Sequence, residues 1–206
     1  MGQYALVILV SYLLGSIPSG LVLGKLRGKD VRQYGSGNIG STNVLRTVGI
    51  REGVMVLAAD VLKGVVAVVI GRYIIGTPAG EMAGGLAAVA GHDWSIYIRF
   101  QGGRGVATAA GALIAMSPAV AGAGIGIFII VVALTRYVSL GSMTAAIGAV
   151  AVMGALTALD REPVESLIYI GIAAALIVFQ HRDNIGRLLS GTESKLGDDR
   201  GRRRIK

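Results

Sequence analysis

Residues 34–46 (YGSGNIGSTNVLR) bring together the groups with which proteins hold phosphate: glycine backbone, hydroxyls, amides and a guanidinium. Glycines let a backbone turn several N–H groups toward one anion, and an arginine can bind phosphate through two parallel hydrogen bonds. If a helix begins near Ser41, its amino-terminal dipole adds to the same site. An ordinary flexible loop is the alternative, because an isolated Gly-x-Gly spacing is a weak signal. The candidate anion-binding residues here are Gly35, Ser36, Gly37, Asn38, Gly40, Ser41, Thr42 and Arg46.

A second segment of the same kind, residues 100–108 (FQGGRGVAT), follows a histidine and an aspartate. Gly-Gly-Arg-Gly at the start of a helix would place N–H donors and a fixed positive charge at one point. Gly103 and Arg104 are therefore candidate binding residues. His92, just upstream, has two open interpretations, a satisfied buried histidine or a functional one.

A third polar segment, residues 180–195 (QHRDNIGRLLSGTESK), ends the last apolar stretch. At helical spacing His181 and Asn184 share a face, with Arg187 one turn further. A basic patch that attracts anionic lipid headgroups is the alternative, and for residues 200–206 we prefer it. Lipid attraction requires neither an imidazole nor an amide, so His181 and Asn184 remain candidate site residues.

The composition predicts the setting in which these segments act. The chain has 206 residues, of which 53% are hydrophobic and 16% charged, and its mean hydropathy is +0.66. A soluble domain carries about 25% charged residues, so one membrane domain spanning residues 1–206 is expected. The absence of cysteine removes disulfides and thiolate nucleophiles, and two histidines are too few for a histidine-built metal site. The net charge of +8 is explained by membrane topology rather than by nucleic acid.

Apolar stretches predict an all-α polytopic membrane protein with seven transmembrane helices. A helix needs about 20 apolar residues to cross the hydrocarbon, and shorter, glycine-rich ones can cross when buried among neighbours. We expect Gly-x-x-x-Gly spacings such as Gly122 and Gly126 to serve helix packing. The expected spans are 3–24, 53–75, 80–92, 105–117, 119–135, 138–158 and 163–181.

The distribution of basic residues predicts the orientation. One set of connections and the C-terminal tail carry 17 of the 20 lysines and arginines, leaving Lys63, Arg72 and Arg161 elsewhere. Basic residues accumulate on the cytoplasmic side, which places the N-terminus outside and the C-terminus in the cytoplasm. All three polar segments then lie at the cytoplasmic face.

Few polar residues lie inside the spans. Asp60 and Lys63 are three residues apart on one helix, and a mutual ion pair that orders the bundle is the expected reason for both. Ser142 lies near the cytoplasmic start of the sixth span and is a candidate binding residue. Ser16, Pro18 and Ser19 predict a kink near the cytoplasmic end of the first span.

Several of these motifs, in this order, resemble the bacterial acyl-phosphate-dependent glycerol-3-phosphate acyltransferases, the PlsY family. The matching segments are residues 15–20, 35–46, 91–92, 102–108, 181–185 and 191–193. The resemblance covers nearly the whole chain. It implies seven spans in the bacterial cytoplasmic (inner) membrane and transfer of an acyl chain from acyl phosphate to the 1-hydroxyl of sn-glycerol 3-phosphate. The products would be lysophosphatidic acid and phosphate, the first step of phospholipid synthesis.

Such a reaction needs two phosphate sites side by side and no enzyme nucleophile, because an acyl phosphate is already activated. We assign residues 35–42 to the acyl phosphate, with Ser36 and Asn38 stabilising charge in the transition state. His181 is either the general base or a binding residue, since the departing phosphate can take the proton. No cofactor or metal is expected, and we expect a monomer in contact with membrane lipid. The residues assigned to glycerol 3-phosphate are Arg46, Arg104, Ser142, His181 and Asn184, and Gly103 is a further substrate-binding candidate.

Three other classes of protein fit the sequence less well. A transporter for a phosphorylated solute would place its site near the bilayer midplane and show paired repeats, whereas these motifs gather at one interface. Acyltransferases with a His-x-x-x-x-Asp pair do not fit, since Tyr97 follows His92 and Gly186 follows His181 at that spacing. A purely structural protein would not explain the clustered anion-binding residues.

Overall fold

The computed structural model describes residues 1–198 as a bundle of α-helices joined by short loops. The predicted lipid-binding segment at residues 200–206 lies outside the described residues. The helices are α1 (Gly2–Gly15), α2 (Ser19–Leu26), α3 (Ser41–Thr47), α4 (Ile50–Ile75), α5 (Pro78–Asp93), α6 (Val106–Met116), α7 (Pro118–Thr135), α8 (Val138–Ala158), α9 (Val164–Gln180) and α10 (Arg182–Leu189).

Four helical stretches within the described residues are long and apolar enough to cross a membrane. They are Gly2–Leu26, Ile50–Ile75, Pro118–Thr135 and Val138–Ala158, and α9 with α10 makes a fifth when the two are counted as one bent span. The multi-pass membrane class is therefore confirmed. Helices α5 and α6 are shorter, so the count of seven spans and the orientation of the termini stay predictions.

The first span is broken where the sequence predicts a kink. α1 ends at Gly15 and α2 begins at Ser19, on either side of Ile17 and Pro18. Proline cannot donate a backbone hydrogen bond, so the helix loses its ladder at this point. At the break the Ile17 carbonyl accepts from Ser19 N at 3.0 Å and from Lys63 Nζ, 3.2 Å away on α4.

Glycines allow the short central helices to approach their neighbours closely. A Cβ atom on Gly64 of α4 would lie 2.1 Å from the carbonyl oxygen of Thr108 on α6. The same distance separates a Cβ on Gly15 from the Ala88 carbonyl oxygen on α5. Such contacts require hydrogen in place of a side chain, so α5 and α6 are buried among neighbours as expected.

Gly122 and Gly126 on α7 do not serve packing within the chain, and that prediction was wrong. A Cβ atom at either position would meet no described atom within 4 Å. The face of α7 that is buried carries Val120, Ala121 and Gly124 instead. Helical periodicity explains the difference, because residues 122 and 126 lie beside that face rather than on it.

The expected ion pair between Asp60 and Lys63 is present. Lys63 Nζ lies 2.9 Å from Asp60 Oδ1, and the two side chains are 4% and 3% exposed. Both groups are therefore buried in the bundle, where an unpaired charge would be costly.

Candidate active site

The loop before α3 is shaped by one asparagine side chain. Asn43 Nδ2 donates to the carbonyl oxygens of Val31, Tyr34 and Asn38 at 3.0, 3.1 and 2.8 Å, and Asn43 Oδ1 accepts from Ser36 N at 3.0 Å. Asn43 is 3% exposed. The sequence places it among the motif residues but gives no signal that its amide turns inward, so its structural role was missed.

The backbone N–H groups of this loop donate to acceptors within the protein more often than expected. Gly35 and Gly37 adopt positive φ angles of 61° and 71°, which glycine tolerates without strain. The N–H groups of Ser36, Gly37 and Gly40 already donate to Asn43 Oδ1, Tyr34 O and Asn38 Oδ1. Tight turns thus use three of the donors that could form a backbone cradle, and anion binding by these residues stays a prediction.

Other donors of the same loop remain open to a ligand. Helix α3 begins at Ser41, as the sequence predicts, and the N–H groups of Ser41 and Thr42 in its first turn have no intrahelical partner. Ser36, Gly37 and Asn38 line a cavity of about 390 Å³. The hydroxyl of Ser36 and the amide of Asn38 thus lie where an anion can reach them.

The Gly-Gly-Arg-Gly segment forms the facing wall of this cavity. Gly102 and Gly103 line it together with Arg104, but their N–H groups donate to Asp93 O and His92 O at 3.1 and 2.9 Å. As in the first loop, the backbone donors are used to build the turn. The guanidinium of Arg104 is left to contact a ligand.

Arg104 is the cation best placed to bind phosphate. Within residues 1–198 it makes no hydrogen bond or ion pair, although Arg46, Arg187, Asp183 and Glu193 are close enough to act on its charge. Burial lowers the pKa of Arg104 to about 10, because the charged form is poorly solvated. A half-buried guanidinium without a partner is the arrangement expected of an anion site.

Other residues line the cavity that the sequence did not single out as candidates. They are adjacent in sequence to the candidate motifs, and this proximity was the only signal that could have found them. These residues are Arg32, Ile39, Gln101, Gln180, Arg182 and Asp183.

Glu193 organises the third polar segment. Its Oε1 accepts from Ser139 Oγ and Asn184 Nδ2, both at 2.7 Å, and its Oε2 accepts from Arg187 Nε at 2.7 Å. Burial raises the pKa of Glu193, but the hydrogen bonds from Ser139, Asn184 and Arg187 outweigh it, so the pKa lies below its ordinary value. Sequence reasoning placed Glu193 in a motif without giving it a role.

Two buried polar atoms of this segment and the first loop, one on Asn184 and one on Arg46, have no hydrogen-bond partner within residues 1–198. Asn184 Oδ1 is buried and, within residues 1–198, has no hydrogen-bond partner. Arg46 Nη2 donates to Ser194 O at 3.3 Å, while its Nε is buried without a partner among the same residues. Burial also lowers the pKa of Arg46, with Glu193 opposing the shift.

His181 and Ser142 differ in how they relate to this cluster. His181 Nδ1 lies 2.7 Å from Ile177 O and must donate to it, which leaves Nε2 as an acceptor. Arg104 and Glu193 act electrostatically on its ring. Ser142 Oγ donates to Val138 O at 2.9 Å, and no described contact joins it to the other candidates. Ser139, one turn away, makes the contact with Glu193 instead.

These features define a helical membrane protein with a basic, phosphate-compatible cavity at one end of the bundle. The glycerol-3-phosphate acyltransferase family profile matches residues 5–191. Glycerol-3-phosphate acyltransferases from Thermoanaerobacter pseudethanolicus (strain ATCC 33223 / 39E) and Geotalea daltonii (strain DSM 22248 / JCM 15807 / FRC-32) are 45% and 48% identical, over 93% and 94% of this chain and 95% and 98% of theirs.

Two solved structures have the same fold. The crystal structure of PlsY (YgiH), an integral membrane glycerol 3-phosphate acyltransferase, in its glycerol 3-phosphate form has a TM-score of 0.88 at 40% identity, over 94% of this chain and 96% of that one. Its lysophosphatidic acid form has a TM-score of 0.86 at 39% identity, over 94% and 95%. The chain belongs to the glycerol-3-phosphate acyltransferase family.

Proposed function

We propose that this protein transfers a fatty acyl group from acyl phosphate to the 1-hydroxyl of sn-glycerol 3-phosphate, releasing lysophosphatidic acid and phosphate. The observation that carries the proposal is the Arg104 guanidinium, which has no partner within residues 1–198 and lines a cavity with Ser36 and Asn38. The related solved structures bear glycerol 3-phosphate and lysophosphatidic acid, which are the acceptor and product of this reaction. The reaction would be the first step of phospholipid synthesis at the bacterial inner membrane.

Two groups of side chains suit one phosphate each, and Ser36, Asn38 and Arg104 among them line the cavity. Ser36 and Asn38, with the first turn of α3, would hold the acyl phosphate and stabilise the developing oxyanion. Arg46, Arg104 and His181 would bind glycerol 3-phosphate, whose hydroxyl must come within about 3–3.5 Å of the carbonyl carbon. The unpaired Asn184 Oδ1 is an acceptor suited to orienting that hydroxyl. The acyl chain would lie against apolar helix faces in contact with lipid, and the active unit would be a monomer.

Direct transfer without an acyl-enzyme suits the side chains present. A serine nucleophile needs an adjacent base, and within residues 1–198 neither histidine hydrogen-bonds a serine hydroxyl. Ser142 Oγ is instead bonded to a backbone carbonyl. The sequence contains no cysteine. The acyl phosphate supplies its own leaving group, so the protein has only to align the two substrates.

The donor is tested with purified protein, glycerol 3-phosphate and either palmitoyl phosphate or palmitoyl-CoA. We expect phosphate and lysophosphatidic acid to appear in equal amounts with the acyl phosphate and no product with the thioester. An Arg104→Gln variant, which loses the charge, is the matched negative control. Product from palmitoyl-CoA alone would overturn the donor assignment.

His181 is tested separately, because its Nε2 could accept the hydroxyl proton or merely bind substrate. If the departing phosphate takes the proton, His181→Ala keeps most of its kcat and raises the KM for glycerol 3-phosphate. A general base typically contributes about 10²–10⁴-fold in rate. A loss of that size at saturating substrate, with KM unchanged, would assign the base to His181.

A further inference from the structure

A buried cluster of three side chains lies behind the Gly-Gly-Arg-Gly segment and has no part in the reaction proposed above. Its centre is the Lys63 ammonium on α4, which lies 2.9 Å from Asp60 Oδ1, 2.7 Å from His92 Nδ1 and 3.2 Å from Ile17 O. His92 is the penultimate residue of α5, and Ile17 lies in the break between α1 and α2. One ammonium therefore links three elements at the end of the bundle where the cavity lies.

The cluster fixes the protonation of His92. Lys63 is ion-paired with Asp60, and an ammonium can donate hydrogen bonds but not accept them. His92 Nδ1 must therefore be the acceptor of the 2.7 Å bond, and the neutral ring carries its proton on Nε2. His92 is 5% exposed, so bulk solvent does not compete for this arrangement.

The other edge of the His92 ring abuts the cavity wall. A Cβ atom on Gly103 would lie 2.1 Å from His92 Nε2, so the ring sits directly against the Gly103 backbone. The backbone oxygens of His92 and Asp93 accept from the N–H groups of Gly103 and Gly102. The orientation of His92 thus decides where the residue before Arg104 can lie.

We propose that Asp60, Lys63 and His92 are positioning residues that hold residues 102–104 in place, and with them the guanidinium that binds substrate phosphate. The proposal rests on the function proposed above for Arg104. Lys63 acts through His92 and not on substrate. Gly103 lines the cavity, and the His92 ring lies behind Gly103.

Bundle stability alone does not account for the cluster. A buried ion pair adds little stability compared with apolar residues of similar volume, because desolvation offsets the attraction. Here two of the three ammonium contacts are made to the broken helix and to His92, and the His92 ring lies against Gly103, which lines the cavity. A role in holding the phosphate-binding segment explains that choice of partners.

Kinetics with a charge-free cluster separates positioning from folding. The double variant Asp60→Leu/Lys63→Met removes the two charges of the ion pair together, so neither Asp60 nor Lys63 is left as an unpaired buried charge. We expect its KM for glycerol 3-phosphate to rise roughly tenfold, the equivalent of about 1.4 kcal/mol, with the KM for palmitoyl phosphate within about twofold of wild type. A purely structural cluster would lower the yield of folded enzyme and leave both KM values unchanged, which would overturn the proposal.

Enlarging Gly103 and shortening His92, singly and together, tests the contact between the two residues. Gly103→Ala alone forces the ring and the loop apart and should raise the KM for glycerol 3-phosphate. His92→Ala makes room for the new methyl group, so the double variant should have a KM below the product of the two single effects. Gly122→Ala, at an open position, is the matched control and should behave as wild type. Strictly multiplicative effects would refute the coupling.

Two readouts do not depend on acyl transfer. Calorimetric binding of glycerol 3-phosphate should weaken roughly tenfold in the charge-free variant, in step with its KM. The chain has two histidines, so ¹⁵N resonances in histidine-labelled protein are assigned by one His181→Gln variant. We expect His92 to carry its proton on Nε2 in wild type, and a proton on Nδ1 would overturn the proposal. If glycerol 3-phosphate binding and the His92 tautomer are as expected but palmitoyl phosphate is not turned over, the proposed donor is refuted while the positioning role of the cluster is supported.

Discussion

Replacing Asn43 should disable the loop that we propose to hold the acyl phosphate, without unfolding the bundle. Its side chain makes four hydrogen bonds that hold the loop before α3. Each contributes about 1 kcal/mol net, so Asn43→Ala should cost the ordered loop about 3 kcal/mol after partial rescue by water, which corresponds to roughly a hundredfold in kcat/KM. We expect the KM for palmitoyl phosphate to carry most of this loss.

Asn43→Asp makes the test sharper, because the shape is kept and the donor is lost. The carboxylate could still accept from Ser36 N, but it would face the carbonyl oxygens of Val31, Tyr34 and Asn38 at hydrogen-bond distance. Activity should therefore fall in the order wild type, alanine, aspartate, even though aspartate is closer in size.

The assay is phosphate release from palmitoyl phosphate at saturating glycerol 3-phosphate, with thermal unfolding measured on the same samples. Thr47→Val is the matched control, since it removes one hydrogen bond within the same short helix and none from the loop. Asn43→Asp with kcat and KM within about twofold of wild type would refute the reasoning, because no loss would follow from reversing three contacts.

Three further results are expected. Activity should fall as pH rises through about 10, where Arg104 loses its proton, and an Arg104→Lys variant should lose activity at lower pH, because burial lowers an ordinary amine pKa as well. Folding lowers the pKa of Glu193, so its contact with Arg187 stabilises the protein at pH values above the ordinary pKa of 4.5. That stabilisation is lost as the pH falls through the lowered pKa. The thermal unfolding midpoint of Glu193→Gln should therefore not show this loss at acid pH. Gly64→Ala should destabilise the fold by about 1–3 kcal/mol, measured by thermal unfolding against Gly122→Ala.

The parts of the fold that hydropathy governs could be predicted from the sequence. Helix α8 spans the residues expected, and the break after Gly15 follows from Pro18. Ser36 and Arg104 could be placed at one cavity because both lie in basic connections that topology sends to the same end of the bundle. The orientation of single side chains could not be predicted. Glu193 contacts Ser139, 54 residues away, and no local pattern specifies that pairing.

The glycine motifs show why the sequence predicts segments that line one cavity but not how their backbone donors are used. A tight turn around an anion and a tight turn closed on itself need the same residues, since both require small side chains and positive φ. Here the N–H groups of Ser36 and Gly103 donate to protein oxygens, so backbone amides supply less of the anion binding than the motif implies. Side chains must supply the rest. Phosphate affinity should therefore respond more to loss of the Arg104 charge than it would in a backbone cradle, and the glycines act mainly by bringing the guanidinium and the Ser36 hydroxyl to one cavity.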